Sequence, residues 1–293
     1  MRVTDSMIFD SAALYAGRAR EQMEAAAAES STGLKLRSAA DDPAAAAMVV
    51  SHDASAARLT GILDGVAAST NRLQTADGAL QSVSNLLARA KELAVQMGSD
   101  SLDADNRAAG ATEVKQLIAE AVVALNTKDG SHYLFGGTRT DAPPFDPAGT
   151  YQGNAGVQRI EVAPGVTQQI SVDASAGLAG VGGGTDVIGN LQKLSTALSG
   201  NDAAGVRALL GALDTSVAQV AGVRAQVGSQ IGGLDAAAAA GRVARDDERK
   251  QSSHLTDADV VDSATRLALA QRGLEAAISA AAQSFKLTLL GKL

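Results

Sequence analysis

The chain has 293 residues and a formal net charge of -7, and only 2% of its residues are aromatic. So few aromatic side chains are unusual in a compact enzyme core, whereas a hydrophobic content of 46% that comes largely from alanine suits closely packed helices. The negative charge and the lack of a dense Lys/Arg cluster argue against a nucleic-acid partner. The absence of cysteine excludes disulfides, thiolate metal sites and a thiol nucleophile.

The first predicted helix covers about residues 4–31. Its weak apolar stripe consists of Ile8, Ala12, Tyr15, Ala19 and Ala26, with Met23 near it. The helix pattern breaks at residues 30–33 and again at 38–43. At the second break Asp41 or Asp42 can cap a new helix whose first residue is Pro43.

The second predicted helix runs from Pro43 to Met97 and would be on the order of 80 Å long. Its apolar residues alternate at steps of four and three, which is the heptad pattern of helices that pack along their length. They are Leu59, Ile62, Val66, Leu73, Ala76, Leu80, Val83, Leu87, Ala90, Ala94 and Met97. This length and pattern indicate an elongated molecule.

A turn at residues 98–105 leads to a third helix, which we expect to return antiparallel to the second and to end near Asp129 and Gly130. The acidic residues of the turn are similar in spacing to a calcium loop. Counted from Asp103, however, Arg107 and Ala108 stand where that loop needs an oxygen ligand and a glycine. Helix capping is therefore the better interpretation.

Residues 133–185 differ in composition from the rest, because they hold four of the seven aromatic residues and four of the five prolines. Two short apolar-rich runs at 157–162 and 166–172 flank Pro164 and Gly165, which predicts a β-hairpin. The glycine-rich stretch that follows lacks the lysine of a phosphate-binding loop, so we interpret it as a linker.

Helices are predicted again from Asp186, from Asn201–Asp202 to about Lys250, and from Val260 onwards. The apolar or small residues of the last helix also follow heptad spacing. They are Val260, Ala264, Leu267, Leu274, Ile278, Ala281 and Phe285. A helix with such a stripe gains little stability alone and must bury it against another helix, either the N-terminal one or one of a neighbouring subunit.

The fold class that follows is mainly α, an elongated antiparallel helical bundle whose N- and C-terminal helices form a coiled coil, with a small β-rich insert in the middle. We divide the chain into a terminal domain (1–42 with 255–293), a rod (43–132 with 186–254) and the insert (133–185).

No catalytic, cofactor-binding or metal-binding residue is predicted. The histidines His52, His132 and His254 lie on separate segments without partners at metal-ligand spacing. The opening residues lack the basic and apolar regions of a signal peptide, and no stretch approaches about 18 uninterrupted apolar residues. We therefore expect neither a Sec signal nor a membrane anchor.

Residues 30–47, SSTGLKLRSAADDPAAAA, resemble the N-terminal region of the flagellin family, and residues 255–293 resemble its C-terminal helix. Two further segments, YLFGGTRTDAPPFD (133–146) and YQGN (151–154), are similar to the family members that join hook and filament rather than to filament flagellin. The ending GKL departs from the aromatic residue that often closes such chains.

The resemblance implies a structural protein of the bacterial flagellum that is secreted without a cleaved signal peptide and assembles through its terminal helices. It implies self-association in a ring or short helical layer and contacts with hook-associated protein 1 and flagellin. A cytoplasmic chaperone and the type III export apparatus would handle the chain before assembly. The residues that would carry the assembly contact are Ile8, Tyr15, Leu267, Leu274, Ile278, Phe285 and Leu289, and Asp41, Asp42 and Pro43 would set the domain junction.

Three alternatives remain open at this point. The same chain ends would serve a filament flagellin, the heptads alone would permit a cytoplasmic coiled-coil scaffold, and the insert could hold a site that no motif reveals.

Overall fold

The structure is a computed structural model that describes residues 2–290, without the side chains of residues 2–6, 8, 9 and 284–290. The helices are α1 (Arg2–Thr32), α2 (Pro43–Met97), α3 (Ala104–Leu125), α4 (Ala174–Gly177), α5 (Val187–Ser199), α6 (Ala203–Thr256) and α7 (Val260–Leu290). The strands are β1 (Lys128–Asp129), β2 (His132–Tyr133), β3 (Arg159–Ala163) and β4 (Val166–Gln169). The mainly α prediction is confirmed, because the named strands of residues 2–290 form only two antiparallel pairs, β1–β2 and β3–β4.

Aspartates cap the N-termini of six of the described helices, among them α4 with Asp173 and α7 with Asp259. Asp42 Oδ1 accepts hydrogen bonds from the backbone N–H groups of Ala44 and Ala45, both at 3.0 Å, directly before Pro43 as predicted. Asp103 caps α3, Asp186 caps α5 and Asp202 caps α6 in the same way. The capping interpretation of the acidic turn is thus confirmed, and no group of three His, Asp or Glu side chains among the described residues is placed to hold a metal ion.

The end of α3 was predicted wrongly. The helix stops at Leu125 rather than near Asp129, because Lys128 and Asp129 pair with residues 132 and 133 in a short hairpin. The side chain of Asn126 fixes the chain directly after the helix. It donates to the Phe145 carbonyl at 2.8 Å and accepts from the Phe145 N–H at 2.9 Å. The next residues then form the unpredicted pair β1–β2, whose turn contains Gly130 at a φ of +58°.

The predicted hairpin of the middle region is confirmed. Strands β3 and β4 pair in antiparallel register, from Arg159 opposite Gln169 to Ala163 opposite Val166. Gly165 adopts a φ of +77° in the turn, a backbone conformation that favours glycine.

The described chain divides into two compact units. The first consists of residues 1–57 and 245–293, and the second of residues 58–244. Their boundaries fall inside α2 and α6, whereas the sequence-based division places boundaries at 42/43 and 254/255. The three-part division stays a prediction.

The second unit contains the main core. Its buried residues include most of the heptad positions predicted in α2, namely Val66, Leu73, Ala76, Leu80, Val83, Leu87, Ala90 and Ala94. In α6 the apolar residues also follow four-and-three spacing, but of these positions only Val206, Leu213, Val220, Val227 and Leu234 are buried, whereas Leu210, Val217 and Ile231 between them are partly buried. Helices α3 and α5 pack against each other in the same unit. By length and composition α6 would also be long enough to cross a membrane. A single such helix is weak evidence of a membrane span, and α6 supplies buried residues to the core of this unit.

In the first unit α1 packs against α7, but not through the predicted residues alone. The contact residues, which are buried or half-buried, are Ala12, Ala16, Ala19, Met23 and Ala26 in α1, and Ser263, Leu267, Ala270, Leu274, Ala277 and Ala281 in α7. The heptad spacing holds, but one of its two positions in each helix is displaced by one residue. Small Ala and Ser side chains let the helices approach, and the larger Tyr15, Val260 and Ile278 are left exposed.

Candidate functional site

The large apolar side chains of α1 and α7 lie mainly on the surface of the first unit. Met7, Leu14, Tyr15, Val260, Val261, Leu269 and Ile278 are between 53% and 77% exposed, and we call this set the terminal apolar surface. Such an exposed apolar set on paired helices is typical of a protein–protein contact.

The sequence-predicted contact residues divide into three groups. Tyr15 and Ile278 belong to the terminal apolar surface. Leu267 and Leu274 are half-buried between α1 and α7, so they serve the intramolecular contact. The side chains of Ile8, Phe285 and Leu289 lie outside the described residues.

Asp41, Asp42 and Pro43 together form the turn that begins α2. Asp41 Oδ2 accepts hydrogen bonds from the backbone N–H groups of Arg37 and Ser38 at 3.0 and 2.8 Å. These backbone bonds hold the pKa of the Asp41 carboxyl below its usual value. Asp42 caps the helix, so the two carboxylates fix both sides of the entry into α2.

The segment after α1 is joined to the segment between α6 and α7 by backbone hydrogen bonds. Lys35 N–H donates to the Thr256 carbonyl at 2.9 Å, and Ala258 N–H donates to the Gly33 carbonyl at 2.8 Å. The Lys35 ammonium also donates to the His254 carbonyl at 2.6 Å. The two connections that lead to the terminal helices therefore hold each other in place.

Two side-chain contacts between distant parts of the chain support the same unit. His52 Nδ1 lies 2.6 Å from a Glu248 carboxylate oxygen, and the Ser252 hydroxyl donates to Asp53 at 2.8 Å. The sequence did not predict this partner of His52, because Glu248 lies 196 residues further along the chain. Only the pairing of α2 with α6 brings the two residues together.

In the second unit the YLFGG and YQGN segments are bonded to each other. The Tyr151 hydroxyl lies 3.1 Å from the carbonyl oxygens of both Phe135 and Asn154. The Asn154 side-chain oxygen accepts from the Thr138 and Gly156 N–H groups, each at 2.9 Å. The segments are thus an internal framework.

We expect this framework to weaken at high pH. Burial raises the pKa of Tyr151 from 10.0 to about 12, and the charge of Asp173 adds to the effect. The neutral phenol therefore contributes stability that is complete below about pH 10 and is lost as the pH rises towards about 12. Denaturant unfolding of the wild type and of Tyr151→Phe should show the wild type about 1 kcal/mol more stable near neutral pH. That difference should vanish in alkali, and a constant difference would contradict the assignment.

Three comparisons with known proteins bear on these features. Residues 5–140 match the family profile of the bacterial flagellin N-terminal helical region. Flagellar hook-associated protein 3 of Salmonella typhimurium is 25% identical over 88% of this chain and 89% of its own. Flagellin of Listeria innocua is 27% identical over 80% of this chain and 78% of its own. The structure of a flagellar hook-associated protein from Vibrio parahaemolyticus superposes with a TM-score of 0.68 at 26% identity, and covers 74% of this chain and all of the other.

The chain thus carries the N-terminal helical region of bacterial flagellins and resembles flagellar hook-associated protein 3 over most of its length. This resemblance agrees with the sequence segments that are similar to the proteins that join hook and filament.

Proposed function

We propose that this protein is a structural part of the bacterial flagellum that joins the hook to the filament and assembles through its terminal helices. The terminal apolar surface is the observation that carries the proposal, because large apolar side chains on α1 and α7 remain exposed after the two helices have paired. Burial of such side chains in a neighbouring subunit would stabilise an assembled layer.

The partners follow from that position in the flagellum. The protein would self-associate in a ring or short helical layer, with hook-associated protein 1 on the hook side and flagellin on the filament side. A cytoplasmic chaperone and the flagellar type III apparatus would deliver it outside the cell without a cleaved signal peptide. In the three-part division, the β-rich insert of residues 133–185 would face outward. No catalytic role is part of the proposal, and the relatives are structural flagellar proteins.

The proposal is tested by placing charge on the terminal apolar surface. Val261 and Ile278 are 77% and 54% exposed, so Val261→Asp combined with Ile278→Asp should leave the α1–α7 contact intact. In cells that carry only this variant we expect hooks without attached filaments and flagellin released into the medium. Electron microscopy of the hooks and immunoblots of the medium measure both.

The matched control combines Gln271→Asp with Gln283→Asp, which adds the same two charges at exposed polar positions of α7. It should leave filaments attached. Circular dichroism of the purified proteins should show the same helix content for the double variant and the control. Normal filaments in the double variant would contradict assembly through this surface.

Filament flagellin is the competing function, which the similarity to the Listeria innocua protein favours. Deletion of the gene distinguishes a junction protein from a filament flagellin. Loss of a junction protein should release flagellin into the medium, whereas loss of the main flagellin should leave no filament protein there.

A further inference from the structure

The terminal apolar surface is accompanied by four charged side chains that have no partner within the chain. Arg18 and Glu21 in α1, and Arg272 and Glu275 in α7, are all exposed. None of the four takes part in an ion pair or a hydrogen bond in the part of the chain that the structure describes, whereas Arg20 has a carboxylate partner. A single unpaired charge is ordinary on a surface, so the arrangement of the four decides what they indicate.

The four charges form one row on each helix, together with an exposed apolar side chain. At steps of three residues, the row of α1 is Tyr15, Arg18 and Glu21, and the row of α7 is Arg272, Glu275 and Ile278. Residues at steps of three form a ridge on the surface of a helix. Along α1 the order is apolar, basic and acidic. Along α7, taken backwards, it is apolar, acidic and basic, so the two rows are complementary when the helices run in opposite directions.

The opposite direction is also the one that neighbouring copies would present to each other. The end of α1 lies beside the start of α7, because Ala258 N–H donates to the Gly33 carbonyl at 2.8 Å and Arg266 lies 3.4 Å from Glu29. The two helices are therefore antiparallel within the chain. Copies in a ring or short helical layer all point the same way, so α1 of one copy is antiparallel to α7 of the next copy as well.

A single antiparallel register pairs all three positions of the two rows. It places Tyr15 opposite Ile278, Arg18 opposite Glu275, and Glu21 opposite Arg272. A parallel arrangement would instead place like charges together or an apolar side chain against a charge. Exposed ion pairs add little affinity, but complementary charges select orientation and register. Tyr15 and Ile278, which are 63% and 54% exposed, provide the apolar area to be buried.

We propose that the row of α1 in one copy packs against the row of α7 in a second copy. This contact rests on the proposed function, because it takes the copies of the layer to point the same way. The rows leave the contact of α1 with α7 inside the chain unchanged, since residues such as Ala16 and Leu274 form that contact from other positions of the same helices. Each copy thus offers α1 to one neighbour and α7 to another, which is a contact that repeats from copy to copy.

Disulfide crosslinking tests the contact, because the chain contains no cysteine of its own. In cells that carry only the variant Tyr15→Cys with Ile278→Cys, isolated flagella are oxidised in air with a copper catalyst. The chains are then separated on a denaturing gel without reductant. We expect loss of the monomer band and a series of dimers and larger species of this chain, since thiols at facing positions of packed helices come within disulfide reach.

The matched control is Glu24→Cys with Ile278→Cys. Glu24 is also an exposed residue of α1, but it lies more than two helical turns away from Tyr15. It should leave the chain monomeric. Equal crosslinking of the two variants, a disulfide within one chain, or a test variant that stays monomeric in flagella would overturn the proposed contact.

Reversal of the charges gives a second test that needs no cysteine. Arg272→Glu with Glu275→Arg keeps the composition of α7 but places like charges against Arg18 and Glu21. We expect loss of attached filaments, with flagellin in the medium. Adding Arg18→Glu with Glu21→Arg restores the complementary order and should restore attachment. Normal filaments after the α7 reversal alone, or no recovery in the combined variant although circular dichroism shows it folded, would overturn the pairing.

These results are separable from the test of the proposed function. Deletion of the gene reports the function whatever the crosslinks show. Release of flagellin on deletion, together with no crosslink between copies, would mean that the protein joins hook and filament through another contact. Crosslinks between copies, together with no filament protein after deletion, would mean that the contact is right and that the chain is a filament flagellin.

Discussion

Gly137→Ala is expected to destabilise the second unit by about 3 kcal/mol or more, which is a large loss for a single methyl group. Gly137 adopts a φ of +70°, and a Cβ atom there would lie 2.2 Å from the Asn154 carbonyl oxygen and 2.4 Å from its side-chain oxygen. Both oxygens are held in place by the framework around Tyr151, so neither can move without breaking its hydrogen bonds. The cost is therefore a backbone conformation that L side chains rarely adopt, together with a steric clash.

Gly130→Ala separates these two costs. Gly130 has a similar φ of +58°, but a Cβ atom there meets nothing within 4 Å. We expect this control to lose about 1 kcal/mol, the usual cost of the left-handed conformation for alanine. Urea unfolding followed by tyrosine fluorescence measures both variants, because Tyr133 and Tyr151 lie in the affected unit. Equal losses at the two glycines would show that the YLFGG and YQGN segments do not constrain each other.

The six longer helices of the described chain could be predicted from local sequence, whereas the four-residue helix α4 was missed. Pro43 after Asp42 marks the start of α2, and the four-and-three spacing identifies most of the buried residues of α2, because each heptad position repeats many times in one long helix. The apolar stripes of α1 and α7 are shorter and consist largely of alanine, so they are less informative about which residues are buried. Ala16 and Ser263 lie at the contact in place of the predicted Tyr15 and Ala264, since small residues pack as readily as the apolar ones beside them.

Long-range pairing could not be predicted in the same way. The chain directly after α3 is fixed by Phe145, which lies 19 residues beyond Asn126, and the partner of His52 lies in another helix. The terminal apolar surface was predicted only in part, because Tyr15 and Ile278 belong to it whereas Leu267 and Leu274 face the α1–α7 contact. Which side of a helix meets its own chain and which side meets a neighbouring subunit is decided by tertiary packing, and the heptad pattern is the same for both.

Arg107→Met is expected to destabilise the second unit by about 3 kcal/mol. Arg107 is only 4% exposed, and no carboxylate accepts from it in the described structure. Its guanidinium instead donates to the Met97 carbonyl at 3.1 Å, to the Ser99 carbonyl at 2.7 Å and to the Asn201 side chain. One side chain of α3 thus supplies donors to the C-terminus of α2 and to the turn before α6. Methionine keeps much of the volume but leaves buried carbonyl oxygens without a donor.

Arg207→Met is the matched control at the same end of the unit. Arg207 donates to the Gly98 carbonyl at 2.6 Å and pairs with Asp100 at 2.9 Å, but its side chain is 46% exposed. Water can replace these contacts, so we expect a loss below about 1 kcal/mol, as for other exposed ion pairs. Urea unfolding followed by circular dichroism at 222 nm compares the two arginines, because most of the ellipticity at this wavelength comes from helices. A loss at Arg107 no larger than that at Arg207 would mean that the carbonyl oxygens at the end of α2 find other donors. The junction of α2, α3 and α6 would then depend on its apolar contacts alone.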